Sequence, residues 1–240
     1  MIMEYVLDVH THTIASGHAY SSMREMARAA KEKGLELLGI TEHGMNMPGT
    51  CHQLYFLNLK MVERRMEGVD LLLGVELNII DMDGHVDMGE GLMSQLDIVI
   101  ASMHTPCVKP GTLKENTNSF LKVMQNPLID IIGHPEDGRY PVDFKALVEG
   151  AKKYGKLLEV NNNSLDSRCT RERGRENYIK MLHYCKEYQV SVVVNSDSHV
   201  DQLVGRHKEA YELMEEIGFP KELVVNRSVD ELKKYLHRFK

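Results

Sequence analysis

Histidines and carboxylates recur in this chain in short groups: His10-Thr11-His12, Glu42-His43, Glu76, His104, His134 and Asp197-Ser198-His199, with His18 shortly after the first. Imidazole nitrogens and carboxylate oxygens are the donors that divalent transition metals take from proteins, and a site with several ions needs many of them to converge. The His-x-His spacing suits this, because residues i and i+2 of an extended chain face one side and both rings reach one ion. Asp197-Ser198-His199 repeats the spacing with mixed donors. A single histidine is more often a packed or solvated side chain than a ligand. What packing does not require is an imidazole at the end of one apolar run after another.

The apolar, β-rich runs fall at residues 5–9, 36–41, 70–77, 97–102, 130–133, 157–160 and 191–195. Helical spacing fills the intervals, at residues 23–33, 54–66, 112–124, 144–154, 172–188 and 208–217, and a closing helix is expected at 232–239. Strands apolar on both faces and alternating with helices predict a parallel sheet covered by helices, so the fold class is α/β, a closed or nearly closed TIM-like barrel. In such barrels the C-terminal strand ends and the loops after them share one face. His10, His12, His43, Glu76, His104, His134, Asp197 and His199 all fall at those ends. Gly34 and Gly155 sit where helices must stop, and Asp83-Gly84 predicts a small hairpin after the third strand, between residues 79–82 and 85–88.

A length of 240 residues suits one barrel-sized core, and no linker or internal repeat divides it, so one domain over residues 1–240 is expected. The apolar runs are strand-length, far short of a membrane span. No secretory signal is visible and Cys51, Cys107, Cys169 and Cys185 form no paired framework, which predicts reduced thiols and a cytoplasmic location. A net charge of −6 without a long Lys/Arg block argues against stable nucleic-acid binding and for a small substrate. Self-association is left open.

The ordered series HTH, TEHG, GVELN, SMHTP, GHPED and NSDSH, each after its own strand, resembles the PHP family, named for polymerase and histidinol phosphatase, most closely its YcdX-like branch. The resemblance runs from residue 9 to about 205. It implies a distorted (β/α)7 barrel and nine ligands: His10, His12, Glu76 and Asp197 on one ion, Glu76 bridging to a second held by His104 and His134, and His18, His43 and His199 on a third. Three divalent ions are implied, zinc foremost, with manganese or iron also suited to such donors. They outweigh the two carboxylates, so the pocket is positive and fits a phosphate dianion. The implied activity is a metal-dependent phosphoesterase that hydrolyses small phosphorylated metabolites by a bridging hydroxide in a di- or trinuclear site. Glu76 and Asp197 are the expected catalytic carboxylates, and the proton carrier is either Asp197 or a metal-bound water, between which the sequence does not choose. The alternatives are a PHP-type phosphodiesterase or nuclease, and an amidohydrolase-type C–N hydrolase, which also opens on His-x-His but usually places a bridging carboxylated Lys or an acidic group where this chain has His104.

On the substrate side, the run at 159–165 followed by Arg168 contributes no expected ligand, so Asn162 and Arg168 are candidate substrate contacts, with Arg171, Arg173 and Arg175 in the same basic loop. Glu42 is a candidate acceptor orienting His43, and His52 and His207 are candidate rim residues. His85, His183 and His237 are expected to lie outside the site.

Overall fold

In the computed structural model, which describes residues 5–240, the elements in chain order are β1 (Leu7–Asp8), α1 (Met23–Glu32), β2 (Leu37–His43), α2 (Gln53–Asn58), β3 (Arg65–Met66), β4 (Val69–Asn78), α3 (Glu90–Met93), β5 (Val99–Ser102), α4 (Leu113–Val123), β6 (Ile131–Ile132), α5 (Phe144–Tyr154), β7 (Leu157–Asn161), α6 (Gly174–Tyr188), β8 (Val192–Asn195), α7 (Lys208–Glu216) and α8 (Val229–Lys233). Seven strands run parallel in the order β1-β2-β4-β5-β6-β7-β8, and β3 is an antiparallel appendage of β4. The result is a nearly closed seven-stranded barrel with helices around it.

Closure between β1 and β8 is made by side chains more than by ladder. Asn195 Oδ1 accepts the Val9 N–H at 2.9 Å, His12 N–H donates to Ser198 O at 2.8 Å, and Thr11 bridges Ser198. Lower down, the fully buried Asn226 fills the seam. Its Oδ1 accepts from Val194 N at 2.7 Å, its Nδ2 donates to Leu7 O at 3.1 Å and Val194 O at 2.6 Å, and its own carbonyl accepts from Val6 N.

Strand alternation then divides the interior in two. One core, between strands and helices, takes the outward residues such as Leu71, Leu73, Val75 and Leu77 of β4. A second, inside the barrel, holds Leu7, Leu37, Leu72, Ile98, Ile131, Leu157 and Val193, and Val225, Leu232 and Leu236 plug its N-terminal end. The inward positions one or two pleats further along are Thr41 and His43, Glu76 and Asn78, Ser102, Glu159 and Asn161, and Asn195, all buried. The barrel is thus apolar at its base and polar at its C-terminal mouth. Gly39 and Gly74 are inward positions where strands press together: a Cβ would come within 2.5 Å of Val9 O and 2.1 Å of Ile98 O respectively.

Capping boxes at Ser22/Glu25 and Thr112/Glu115 begin α1 and α4, and Gly155, at φ 64°, ends α5 as expected. Three elements differ from the sequence expectation. The helix expected at 54–66 stops at Asn58 and gives way to a 3-10 turn and β3. Arg64 enforces the break by donating to the carbonyls of Leu59 and Val62 and to Asp97, and Glu67-Gly68, both at positive φ, turn the chain back into β4. The closing helix is split into α8 and a 3-10 turn at His237–Phe239, because Asp130 takes both the backbone and the ring N–H of His237. The hairpin around Asp83-Gly84 shrinks to one bridge, Ile79 to Val86. Among the described residues no helix is long and apolar enough to cross a membrane, and the four cysteines are free.

Candidate metal centre

Glu76, fully buried on β4, is the hub of the mouth. Its Oε1 lies 2.9 Å from His134 Nε2 and 3.2 Å from His104 Nε2; its Oε2 lies 2.7 Å from His43 Nδ1, 3.3 Å from His10 Nε2 and 3.5 Å from His12 Nε2. Asp197 Oδ1 approaches His12 Nε2 at 3.3 Å and both His10 Nε2 and His199 Nδ1 at 3.7 Å. His18 completes the group, its Nε2 3.1 Å from His199 Nε2. All nine residues expected from the sequence therefore meet at one end of the barrel. One of their close groupings falls within the partition implied by the resemblance and two cross it. Donor atoms lie within 4.8 Å of one another in His10/His12/Glu76, in His43/Glu76/His104 and in His12/His43/His199, so His43 belongs as much with Glu76 as with His199.

His10 and His12 reach the mouth after the β1 ladder has ended at Asp8, and they face it from the opposite parity to Leu7 and Val9. Two other positions are held in the left-handed region despite carrying side chains: His134 at φ 26° and Asp197 at φ 52°. Such backbones cost energy and persist only where the surroundings fix them. At His134 the fixing contact is its N–H on Glu159 Oε2, at 2.8 Å.

A layer behind the donors sets which nitrogen each ring presents. Glu159 Oε1 takes His10 Nδ1 at 2.7 Å, and Glu159 is itself held by Asn161 and Asn195. Ser16 donates to Glu42 at 2.6 Å and so must accept from His12 Nδ1, at 3.2 Å, and from the His43 N–H. Asn78 Oδ1, whose amide nitrogen is committed to Gly44 O and Asp87, accepts from His104 Nδ1 at 2.8 Å. His199 Nδ1 donates to Asp197 O. In His10, His12, His104 and His199 the proton is thereby placed on Nδ1, which leaves the Nε2 lone pair toward the mouth, the arrangement a metal-ligating histidine needs.

The donors fit divalent ions on two further grounds. His10 Nε2, His12 Nε2, His43 Nδ1 and Glu76 Oε2 are buried and complete no hydrogen bond, although they face one another. Buried polar atoms without partners are expensive, and a cation between them would satisfy all four. The charge balance agrees. Burial, with His43 and His199 nearby, holds His12 well below the ordinary imidazole range, and burial with the same neighbours brings His18 down to about 4. Burial likewise lowers His104 and His199, so these rings are neutral near pH 7. Burial opposes protonation of His10 too, yet Glu159, Glu76 and Asp197 pull it well above the ordinary range. Three carboxylates around one imidazole mark where positive charge is wanted.

The substrate-side expectations are redistributed. Arg168 points away: 71% exposed, it is paired through two nitrogens with Asp166. Asn162 is buried with its amide committed to α7, Nδ2 on Glu209 and Oδ1 on the Ala210 N–H. Of the arginines in this loop, Arg171 is the one that reaches Asp197. Only 11% exposed, it donates from Nη2 to Asp197 Oδ2 at 2.8 Å and from Nη1 to Ser164 Oγ at 3.0 Å. Glu42 serves His12, through Ser16, more than His43. His207 is buried beside Asp8 at 3.7 Å and His52 caps α2, so neither stands as a rim ligand. His85 and His237 pair with Asp81 and Asp130, outside the site as expected. Glu159 was legible as a carboxylate two residues from the inward Leu157 in an otherwise apolar strand, but nothing local tied it to His10.

The PHP domain model matches residues 8–219. Over 238 residues the chain is 48% identical to a probable phosphatase of Caldanaerobacter subterraneus subsp. tengcongensis, covering 98% of this chain and 92% of that protein. It is 45% identical over 234 residues to a probable phosphatase of Clostridium novyi, covering 98% and 95%. In fold it is similar to the histidinol phosphate phosphatase of Lactococcus lactis, solved with zinc, L-histidinol and phosphate, at a TM-score of 0.62 and 18% identity over 90% of this chain and 95% of the other. With the family model spanning all but the ends, and relatives this similar along nearly their whole length, the chain belongs to the PHP domain family.

Proposed function

We propose that this protein is a metal-dependent phosphatase acting on small phosphate monoesters, with two or three divalent ions held by His10, His12, His18, His43, Glu76, His104, His134, Asp197 and His199. The observation that carries the reading is the convergence of buried, unsatisfied ring nitrogens and Glu76 Oε2 on one volume, with the opposite ring nitrogens pinned from behind. When bound, the ions would supply Lewis acidity toward phosphoryl oxygens and a water deprotonated near neutral pH. Zinc suits the imidazole-rich set best, with manganese and iron next. The names of the curated relatives agree with phosphatase activity. Free thiols accord with a cytoplasmic enzyme, and we take the chain as one catalytic domain.

The chain's own groups divide the remaining work. Glu76 sits between the donor groups and holds their spacing; Asp197 faces both the imidazoles and Arg171, and the proton-carrying role we assign to it is part of this proposal. Arg171 is the guanidinium that reaches the mouth, and its planar fork suits two phosphoryl oxygens. Arg171→Ala is expected to raise KM for a phosphate monoester by about tenfold to a hundredfold with metal content retained, whereas Arg168→Ala leaves KM unchanged. Steady-state kinetics with elemental analysis of both variants reads this, and an effect confined to Arg168 would reverse the assignment.

The activity itself is tested on metal-loaded protein with p-nitrophenyl phosphate, bis-p-nitrophenyl phosphate and a simple amide. Monoester turnover is expected. Preference for the diester would move the reading to a phosphodiesterase or nuclease, amide cleavage to an amidohydrolase-type enzyme, and inertness toward all three would overturn it.

A further inference from the structure

Behind Arg171 lies a carboxylate that neither the ligand set nor its supporting layer uses. Glu136 is fully buried in the loop after β6, and both of its oxygens complete no hydrogen bond. The hydroxyls of Ser164 and Tyr178 lie beside it, and the Tyr178 hydroxyl accepts the Asn161 N–H at 2.7 Å, so the residue abuts the strand end that supports Asp197 through Asn161 Nδ2. Its backbone is fixed as well, because Asn177 Nδ2 donates to Glu136 O at 2.7 Å. The cation acting on it is Arg171, and the relation is mutual.

A buried carboxylate this poorly satisfied is costly, and hydrophobic packing would be served better by an apolar side chain of similar volume. The position of Ser164 explains what it does there. Ser164 accepts from Arg171 Nη1, its hydroxyl lies beside Glu136, and α6 begins against it so closely that a Cβ on Gly174 would lie 2.7 Å from Ser164 O. The guanidinium is therefore gripped from the rear by Ser164 with Glu136 behind, while Nη2 reaches forward to Asp197. When Asp197 is drawn toward ions, the rear contacts are those that keep the guanidinium in the mouth.

We infer that Glu136 is a positioning residue for Arg171, acting through Ser164 to hold the guanidinium where phosphate meets it. The inference rests on the phosphate-contact reading of Arg171 given above. It is tested by a double-mutant cycle with inorganic phosphate as probe, its binding to metal-loaded protein measured by calorimetry and by competitive inhibition. Glu136→Gln is expected to weaken phosphate binding about tenfold, in the range of coupled neighbours, with metal content unchanged and the rise falling on KM. Glu136→Asp is expected to recover part of the loss. In an Arg171→Ala background, Glu136→Gln should add nothing. Tenfold weakening that persists without Arg171 would overturn the inference, since Glu136 would then act by another route. An Arg171→Ala protein that binds phosphate normally would overturn the phosphate contact itself, a result read from that variant alone. Should Glu136→Gln fail to fold, Ser164→Ala breaks the same link and carries the same cycle.

Discussion

Glu76→Gln is expected to turn over p-nitrophenyl phosphate at least about a thousandfold more slowly than the native protein, and to purify with less than half its metal. The carboxamide keeps the shape of the side chain among five imidazoles but removes the charge and one of two acceptor oxygens at the point where the donor groups meet. In a fully buried setting that charge is the main counterweight to divalent ions, and losing about 4 kcal/mol of transition-state stabilisation is a factor of about a thousand in rate. Metal analysis of the same preparation separates the causes. Loss of both metal and activity supports a shared carboxylate, and loss of activity at full loading would assign Glu76 to the chemistry alone. An active, fully loaded variant would falsify the role given to Glu76 altogether.

The second large effect is on stability and lies far from the mouth. Asn226→Ala removes the amide that joins β1 to β8 and strands the Val194 N–H and the Leu7 and Val194 carbonyls in a buried seam. At about 1 kcal/mol for each buried group left without a partner, the loss is about 3 kcal/mol, or about 10 °C in Tm for a chain of this size. Asn226→Asp, which keeps the acceptor but turns a donor pair into a charge facing two carbonyls, should be at least as damaging. Because β1 leads into His10 and His12, and β8 into Asp197 and His199, metal affinity should fall together with Tm. Thermal unfolding with and without added metal checks both. A Tm within about 2 °C of native would show that the seam is held elsewhere.

Much of this molecule could be read before any coordinates existed, for identifiable reasons. Each barrel strand is a short apolar run, and period and composition announce such runs locally. The donors were legible because they sit at the ends of those runs, where a parallel barrel has one face to offer. Supporting residues were harder. Glu159, Ser16 and Asn78 act on rings 149, 4 and 26 residues away. Only the first stands out, as a charge in an apolar strand. Arg168 and Arg171 are three residues apart in one loop, and nothing in their surroundings along the chain says which turns inward; Asp166 captures one and Asp197 the other. The split of the predicted helix at 54–66 had the same origin. Its apolar spacing is adequate, but Asp97, from the loop before β5, holds Arg64 in the conformation that ends it.

The plug and seam at the foot of the barrel also bear on how the chain is made. The first strand has its closing partner in Asn226, 219 residues later, and the inner core is capped by Val225, Leu232 and Leu236. A nascent polypeptide still lacking this segment can form its early β/α units but leaves the lower ends of the first and last strands apart. Contacts between such distant residues also slow folding, because the intervening chain must first be brought to order. Closure of the barrel therefore waits for the segment at 225–236, and a chain lacking it leaves the apolar interior uncovered.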